Sequence, residues 1–222
     1  MKRITIILFF ITGVVFGQDK VVKNLGDFNT IKTYRGLTVE LVKSNSPKIE
    51  IEGDKSKDVI VKNVNGVLKI SLEVLETFSA EDVKITLNYS KDIDHISANE
   101  GSVVFSDEKI KQEKIDLKTS EAGQINLNIK TSYLDVKALT GGKIELEGTS
   151  TNQNVKANTG GIYQGDDLET EYTDVYSTTG GIVTVYASKL VDANASLGGT
   201  IKIKGDPDKV NKKESLGGYV KD

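Results

Sequence analysis

The sequence predicts an all-β chain folded as a right-handed parallel β-helix, a β-solenoid with coils of about 19 residues. Three observations predict it. Glycines punctuate the last 122 residues at near-equal intervals, at Gly101, Gly123, Gly142, Gly161, Gly181, Gly199 and Gly218, with gaps of 22, 19, 19, 20, 18 and 19. Self-similarity at a fixed short period marks a repeat architecture. Apolar side chains flank these glycines at a spacing of two, which is strand periodicity with one face turned inward. The gaps do not keep to a strict multiple of six and no hexapeptide pattern accompanies them, which argues against the left-handed acyltransferase type of helix.

At the amino terminus, Lys2 and Arg3 precede an apolar run from Ile4 to about Val15, then Val15-Phe16-Gly17 before Gln18. A basic start, a short apolar core and a small final residue predict a secretory signal peptide over 1–17, too short to span a bilayer. No second apolar run of 18 residues follows. The remainder, 18–222, reads as a single β-solenoid domain in which 18–92 form irregular capping coils and 93–222 the regular repeats. Alternation persists in the capping part, through Ile31 to Val42 around Gly36, Lys48 to Glu52, Val59 to Leu72 around Gly66, and Val83 to Leu87. Coils with longer turns and hairpins leaning on the first regular coil fit that stretch equally well. Terminal units of a solenoid are atypical because they cover an open strand edge.

In the regular part the inward series after each glycine reads Val103, Ile125, Ile144, Tyr163, Val183, Ile201 and Val220, followed two residues later by Phe105, Leu127, Leu146, Gly165, Val185, Ile203 and Asp222. Six positions before the glycine stand Leu117, Val136, Val155, Val175 and Ala193, and four before stand Thr119, Ala138, Ala157, Ser177 and Ala195. Each repeat is therefore strand, glycine corner, strand. Side chains shrink toward the corner, where two walls converge, and the corner glycines Gly123, Gly142, Gly161, Gly181, Gly199 and Gly218 are expected to supply positive φ. A column three before the glycine, Ser120, Asn158, Thr178, Ser196 and Ser215, is suited to local hydrogen bonds with the turn backbone, although Leu139 breaks it. The 22-residue step predicts a loop insertion near Asp107 to Glu113. At the first corner, Asn99-Glu100-Gly101, the upstream strand reads best one residue out of register.

Hydrophobic residues make up 37% of the chain and aromatic residues 6%, a lean composition that suits a narrow internal ladder. Removing Lys2 and Arg3 moves the formal charge from −3 to −5, which argues against nucleic acid and gives no pull toward anionic lipid. There is no cysteine, hence no disulfide framework and no thiol for lipid attachment.

The corners Thr119-Ser120-Glu121-Ala122-Gly123-Gln124-Ile125, Ala157-Asn158-Thr159-Gly160-Gly161 and Ser177-Thr178-Thr179-Gly180-Gly181 carry a family likeness. So do Ile201 to Pro207, Ser215-Leu216-Gly217-Gly218, Phe28-Asn29-Thr30-Ile31 and Asn65 to Ile70. With these segments the mature chain resembles the putative auto-transporter adhesin, head GIN domain family of exported bacterial proteins. The resemblance implies a pectin-lyase-like β-helix and cell adhesion, and carries no catalytic motif.

The chemistry of single residues is sparse. His95 is the one histidine, and no P-loop or Gly-x-Ser-x-Gly pattern exists, so neither an acid-base nor a nucleophilic site assembles and no cofactor is implied. Seven before successive glycines stand Asp116, Asp135, Asn154, Asp174 and Asp192, on the outward face, where stacked carboxylates repel. Lys118, Lys137 and Lys156, two residues on, are expected to offset them. Asp174 and Asp192 lack such neighbours, so a weak Ca²⁺ site with Asp166 and Asp167 is a further expectation. Tyr133, Tyr172, Tyr176 and Tyr186 fall outside the inward series and are candidates for stacking on sugar rings or anchoring a partner.

These features point to an exported, non-enzymatic scaffold in the periplasm or on the outer cell surface that presents a repetitive wall to a glycan or a cell-surface protein. A carbohydrate-active enzyme on the same scaffold is the second reading. A structural envelope protein assembling through its ends into an oligomer is the third.

Overall fold

The computed structural model describes residues 20–73 and 83–222. The leader expected over 1–17 lies outside the described residues. The chain builds one parallel solenoid from two walls that meet at a sharp corner on one side and a gentle bend on the other. Apart from a 3-10 turn at Ser56–Asp58, every regular element among the described residues is a strand.

The first strands form the amino-terminal end: β1 (Lys20–Asn24), β2 (Thr30–Thr33), β3 (Thr38–Lys43), β4 (Lys48–Glu52), β5 (Val59–Val64), β6 (Val67–Leu72) and β7 (Lys84–Tyr89). Strands β2 and β3 make a coil around Arg35-Gly36. The chain then places β6 and β7 on one side of that coil and β8 (His95–Ala98) and β9 (Val103–Phe105) on the other. Antiparallel partners close the open side, β5 on β6 in one wall and β1 on β4 on β7 in the other. The hairpin around Gly66 has Asn65 and Gly66 both at positive φ, the pairing that matches the twist of tightly connected strands.

Regular coils follow through β10 (Ile110–Lys111), β11 (Lys114–Thr119), β12 (Gln124–Leu139), β13 (Lys143–Asn158), β14 (Ile162–Thr178), β15 (Ile182–Tyr186), β16 (Leu190–Ser196), β17 (Thr200–Lys204), β18 (Lys209–Ser215) and β19 (Tyr219–Lys221). The long strands β12 to β14 each cross the bend and contribute to both walls. The first wall stacks β8, β11, the second halves of β12, β13 and β14, then β16 and β18, all parallel. The second wall stacks β9, the first halves of the same three strands, then β15, β17 and β19. Equivalent residues stand in register, and Ile125, Ile144, Tyr163, Val183 and Ile201 form one fully buried internal file.

Each corner is a four-residue turn with two consecutive positive-φ residues. In the coil at Leu139-Thr140-Gly141-Gly142, Thr140 has φ 49° and Gly141 71°, and the amide of Gly142 donates to the Leu139 carbonyl at 2.9 Å. Positive φ therefore falls on the first glycine of the pair and the residue before it, not on the second glycine. The second glycine is required by space. A Cβ at Gly161 would fall on the Ala138 carbonyl, and at Gly218 on the Ala195 carbonyl, one coil away. The turns are also stitched to one another, with the amide of Gly141 donating to the Thr159 carbonyl at 3.0 Å and that of Gly160 to the Thr179 carbonyl at 3.1 Å.

The Ser/Thr/Asn column does not bond the turn backbone through its side chains. Ser120 Oγ donates to Asn99 Oδ1 at 2.8 Å and Ser196 Oγ to Thr178 Oγ1 at 3.2 Å, across coils. Its backbone carbonyls close the turns, which any residue can do, so Leu139 is accommodated.

At the first corner the two positive-φ residues are Glu100 and Gly101, so Gly101 takes the place of Gly141 and Ser102 the place of Gly142. The strand that follows shifts by one. Val104 is buried, whereas Val103 and Phe105, expected inside, are only partly covered on the outer face. The 22-residue gap is thereby resolved: one residue is this shift, and two are an insertion between Phe105 and Ile110, partners of Asn126 and Ile129.

Candidate functional site

The outer face of the first wall is a grid set by strand register. Along the axis, one file runs Lys114, Tyr133, Asn152, Tyr172, Leu190. The next runs His95, Asp116, Asp135, Asn154, Asp174, Asp192, Asn211, and the third includes Lys118, Lys137, Lys156, Tyr176 and Asn194. These side chains face out because the intervening ones, Leu134, Val136, Val155 and Val175 among them, fill the lumen.

Three candidate tyrosines share this face. Tyr133, Tyr172 and Tyr176 keep 52%, 40% and 45% of their surface exposed, so all three rings are accessible to a ligand. Tyr172 and Tyr176 lie four residues apart on β14, so both point outward with Asp174 between them. Lys189 Nζ sits 5.4 Å from the centre of the Tyr172 ring and Lys156 Nζ 5.8 Å from that of Tyr176. Tyr176 stands between two shallow depressions, one of about 450 Å³ edged by Asn154, Asn158 and Asp174, the other of about 190 Å³ edged by Asp192, Asn194 and Asn211. Tyr186 is not part of this face. It ends β15 on the second wall and lines a separate groove of about 660 Å³ along the bend, with Thr131, Ser150 and Thr170.

The acidic file is held differently from the sequence expectation. Lys114, not the file of Lys118, Lys137 and Lys156, spans Asp116 and Asp135, at 3.6 Å from each. Asn154 Nδ2 donates to Asp135 Oδ1 at 3.0 Å and Asn211 Nδ2 to Asp192 Oδ1 at 2.6 Å. Burial, with Asp135 adding to it, pushes the Asp116 carboxyl above its ordinary range, against the pull of Lys114 and His95. Burial also holds the His95 imidazole below its ordinary value; Asp116 opposes this, and Lys32, Lys118 and Lys137 reinforce it.

The four aspartates of the expected Ca²⁺ site do not come together. Asp174 and Asp192 are neighbours on the first wall, while Asp166 and Asp167 lie on the second, across the bend, and Asp166 is paired with Lys204 at 2.7 Å. No group of three or more His, Cys, Asp or Glu that could hold a metal ion exists among the described residues. Coil geometry separates what lies only seven residues apart in sequence, because the strand changes wall between Leu168 and Tyr172.

A family model described as "Putative auto-transporter adhesin, head GIN domain" matches residues 27–207. The chain belongs to that family. This head GIN domain protein also shares its fold with solved structures. A putative adhesin from Bacteroides fragilis NCTC 9343 aligns with a TM-score of 0.82 at 18% identity, over 93% of this chain and 97% of that one. A putative adhesin from Parabacteroides distasonis ATCC 8503 gives 0.72 at 17% identity over 92% and 96%. A putative lipid binding protein from the same organism gives 0.69 at 19% over 93% and 97%. At these identities the likeness is one of fold. No curated protein sequence matches the chain significantly. No helix among the described residues is long and apolar enough to cross a membrane.

Proposed function

We propose that this head GIN domain protein is an exported, non-catalytic protein of the cell envelope, in the periplasm or on the outer surface, whose first wall binds a glycan. The observation that carries the reading is the exposed trio Tyr133, Tyr172 and Tyr176, set in register among carboxamide and carboxylate side chains. Aromatic rings stack on the apolar faces of sugars, and Asn and Asp side chains bond their hydroxyls. Many modest contacts repeated over coils suit an adhesin, the role the family description names. A carbohydrate-active enzyme finds less support, since Asp166 and Asp174 stand on different walls.

The test is a glycan array probed with the mature protein beside a Tyr172→Ala/Tyr176→Ala variant. Signals on glycans that vanish in the double variant are expected. Silence on every glycan removes this reading in favour of a protein ligand. Incubation with a polysaccharide panel is expected to release no fragments.

A further inference from the structure

The third outward file of the first wall is longer than the sequence repeats suggest. On the capping strands it holds Lys62, Lys69 and Lys32, which pair in register across β5, β6 and β2. It then passes Ser97 on β8 and continues through Lys118, Lys137 and Lys156 on β11, β12 and β13. Beyond Tyr176 and Asn194 it ends at Lys213 on β18. One file of the wall thus carries two runs of three lysines separated by Ser97, with Lys213 at its far end. Steps within it are about 4.8 Å, the spacing of hydrogen-bonded strands.

None of these lysines takes part in an ion pair among the described residues. On the other wall Lys143 pairs with Glu145 at 2.8 Å and Lys204 with Asp166 at 2.7 Å, although Lys202 and Lys221 there also lack an ion pair among the described residues. Like charges directly opposite one another on neighbouring strands are destabilising, and here the cost is incurred at three consecutive coils in Lys118, Lys137 and Lys156. In the adjoining acidic file Asp116 and Asp135 are engaged by Lys114 and Asp192 by Asn211, while Asp174 shares a shallow depression with Lys156 without pairing to it. On the corner side the file is bordered by Ser120, Leu139, Asn158, Thr178 and Ser196, polar and uncharged except for Leu139. An arrangement that leaves a row of amines without carboxylate partners beside hydroxyl and carboxamide groups, with the exposed Tyr176 ring in line against Lys156, is complementary to a polymer carrying carboxylates and hydroxyls at a regular repeat.

We infer that the ligand of the first wall is an anionic polysaccharide lying parallel to the solenoid axis, its carboxylates on the lysine file and a sugar ring on Tyr176. This rests on the reading of the first wall as the binding face and adds the charge class of the ligand and its direction. A chain laid along the axis carries its carboxylates past the file repeatedly, so one ligand meets several lysines. The overall negative charge of the protein gives no long-range pull on a polyanion, so the attraction is local and is screened by salt.

Binding of polygalacturonate, measured by calorimetry, is the direct test. It is expected to weaken about tenfold or more as salt rises from about 50 to about 200 mM, by release of counterions from about three lysine contacts. A Lys118→Gln/Lys137→Gln/Lys156→Gln variant is expected to lose binding about tenfold or more, whereas Lys143→Gln/Lys204→Gln on the other wall keeps it. Circular dichroism checks that both variants are folded; if the triple variant is not, single Lys137→Gln and Lys156→Gln replacements, each expected to weaken binding and flatten its salt dependence, take its place. Equal binding by the lysine variants and the parent overturns the inference, as does equal loss in the second-wall pair. Binding of neutral glycans alone overturns it while leaving the tyrosine wall standing. A short DNA duplex held as tightly as the uronate overturns it in favour of unselective polyanion attraction, and silence toward every glycan removes both.

Discussion

The two glycines of a corner do different work, and their replacement separates the two causes. Gly160 has φ 71° with open space around a would-be Cβ, so Gly160→Ala is expected to cost about 1–2 kcal/mol, the penalty of left-handed backbone. Ala122 already occupies the equivalent place at φ 61°, which shows that the penalty is tolerable and predicts a small gain in stability from Ala122→Gly. Gly161→Ala drives a methyl group into the Ala138 carbonyl and is expected to cost about 3 kcal/mol, in the range of severe overpacking. Urea titration of the three variants checks the order. Another residue-level expectation concerns pH. His95 is held below its ordinary value of 6.5, so the unfolded chain binds the proton first as pH falls, and stability declines below about pH 6.5. In His95→Gln the loss of melting temperature between about pH 7 and about pH 5 is expected to be smaller than in the parent. The period made the glycine rhythm legible in the sequence, but which glycine carried φ and which carried space was not, since the clash is with an atom one coil away.

At the scale of an element, each long strand bends where its inward parity changes. In β12 the buried positions are Ile125, Leu127, Ile129 and Thr131, then Leu134, Val136 and Ala138. The unequal coil lengths follow from local accidents on this plan. The 20-residue coil between Gly161 and Gly181 holds a register shift, where Glu145 and Glu147 face Gln164 and Asp167. Beside that shift the lumen contains Tyr163, whose ring occupies the space a side chain at Gly165 would need, and whose hydroxyl donates to Gln153 Oε1 at 3.0 Å. Gln153 Nε2 in turn donates to Thr173 Oγ1 at 2.9 Å and Thr170 Oγ1 at 3.1 Å. Tyr163→Phe leaves the Gln153 oxygen buried without a donor, and a loss of about 1–3 kcal/mol in thermal or chemical unfolding is expected. The inward place of Tyr163 was legible from its column; its polar partners were not, because Gln153 reaches it across the lumen from the facing wall.

Over the whole molecule, stability is a sum of contacts between neighbouring coils. The middle strands β12 and β13 are sandwiched on both sides, whereas β18 has one neighbour in its wall and is almost wholly exposed. At that last rung, Lys212 pairs with Asp222 at 2.5 Å, and Glu214 accepts from the Val220 amide at 2.6 Å; these charges stand where Ala193 and Ala195 fill the coil before. Hydrogen exchange is therefore expected to be fastest in β18 and β19 and slowest in β12 and β13; uniform protection would contradict a coil-by-coil account.

The sequence by itself determined the solenoid, its period and most of its internal files, because a glycine corner and an alternating strand are local signals repeated often enough to reinforce one another. Only the tertiary structure decided which outward residues share a face. It set Tyr186 apart from the other tyrosines, separated Asp166 and Asp167 from Asp174 and Asp192, and joined Lys62, Lys69 and Lys32 to the file of Lys118. The physical reason is that a face is made by hydrogen-bond register between strands distant in sequence, and by the bend at which a strand passes from one wall to the other, neither of which is written in the spacing of any one segment.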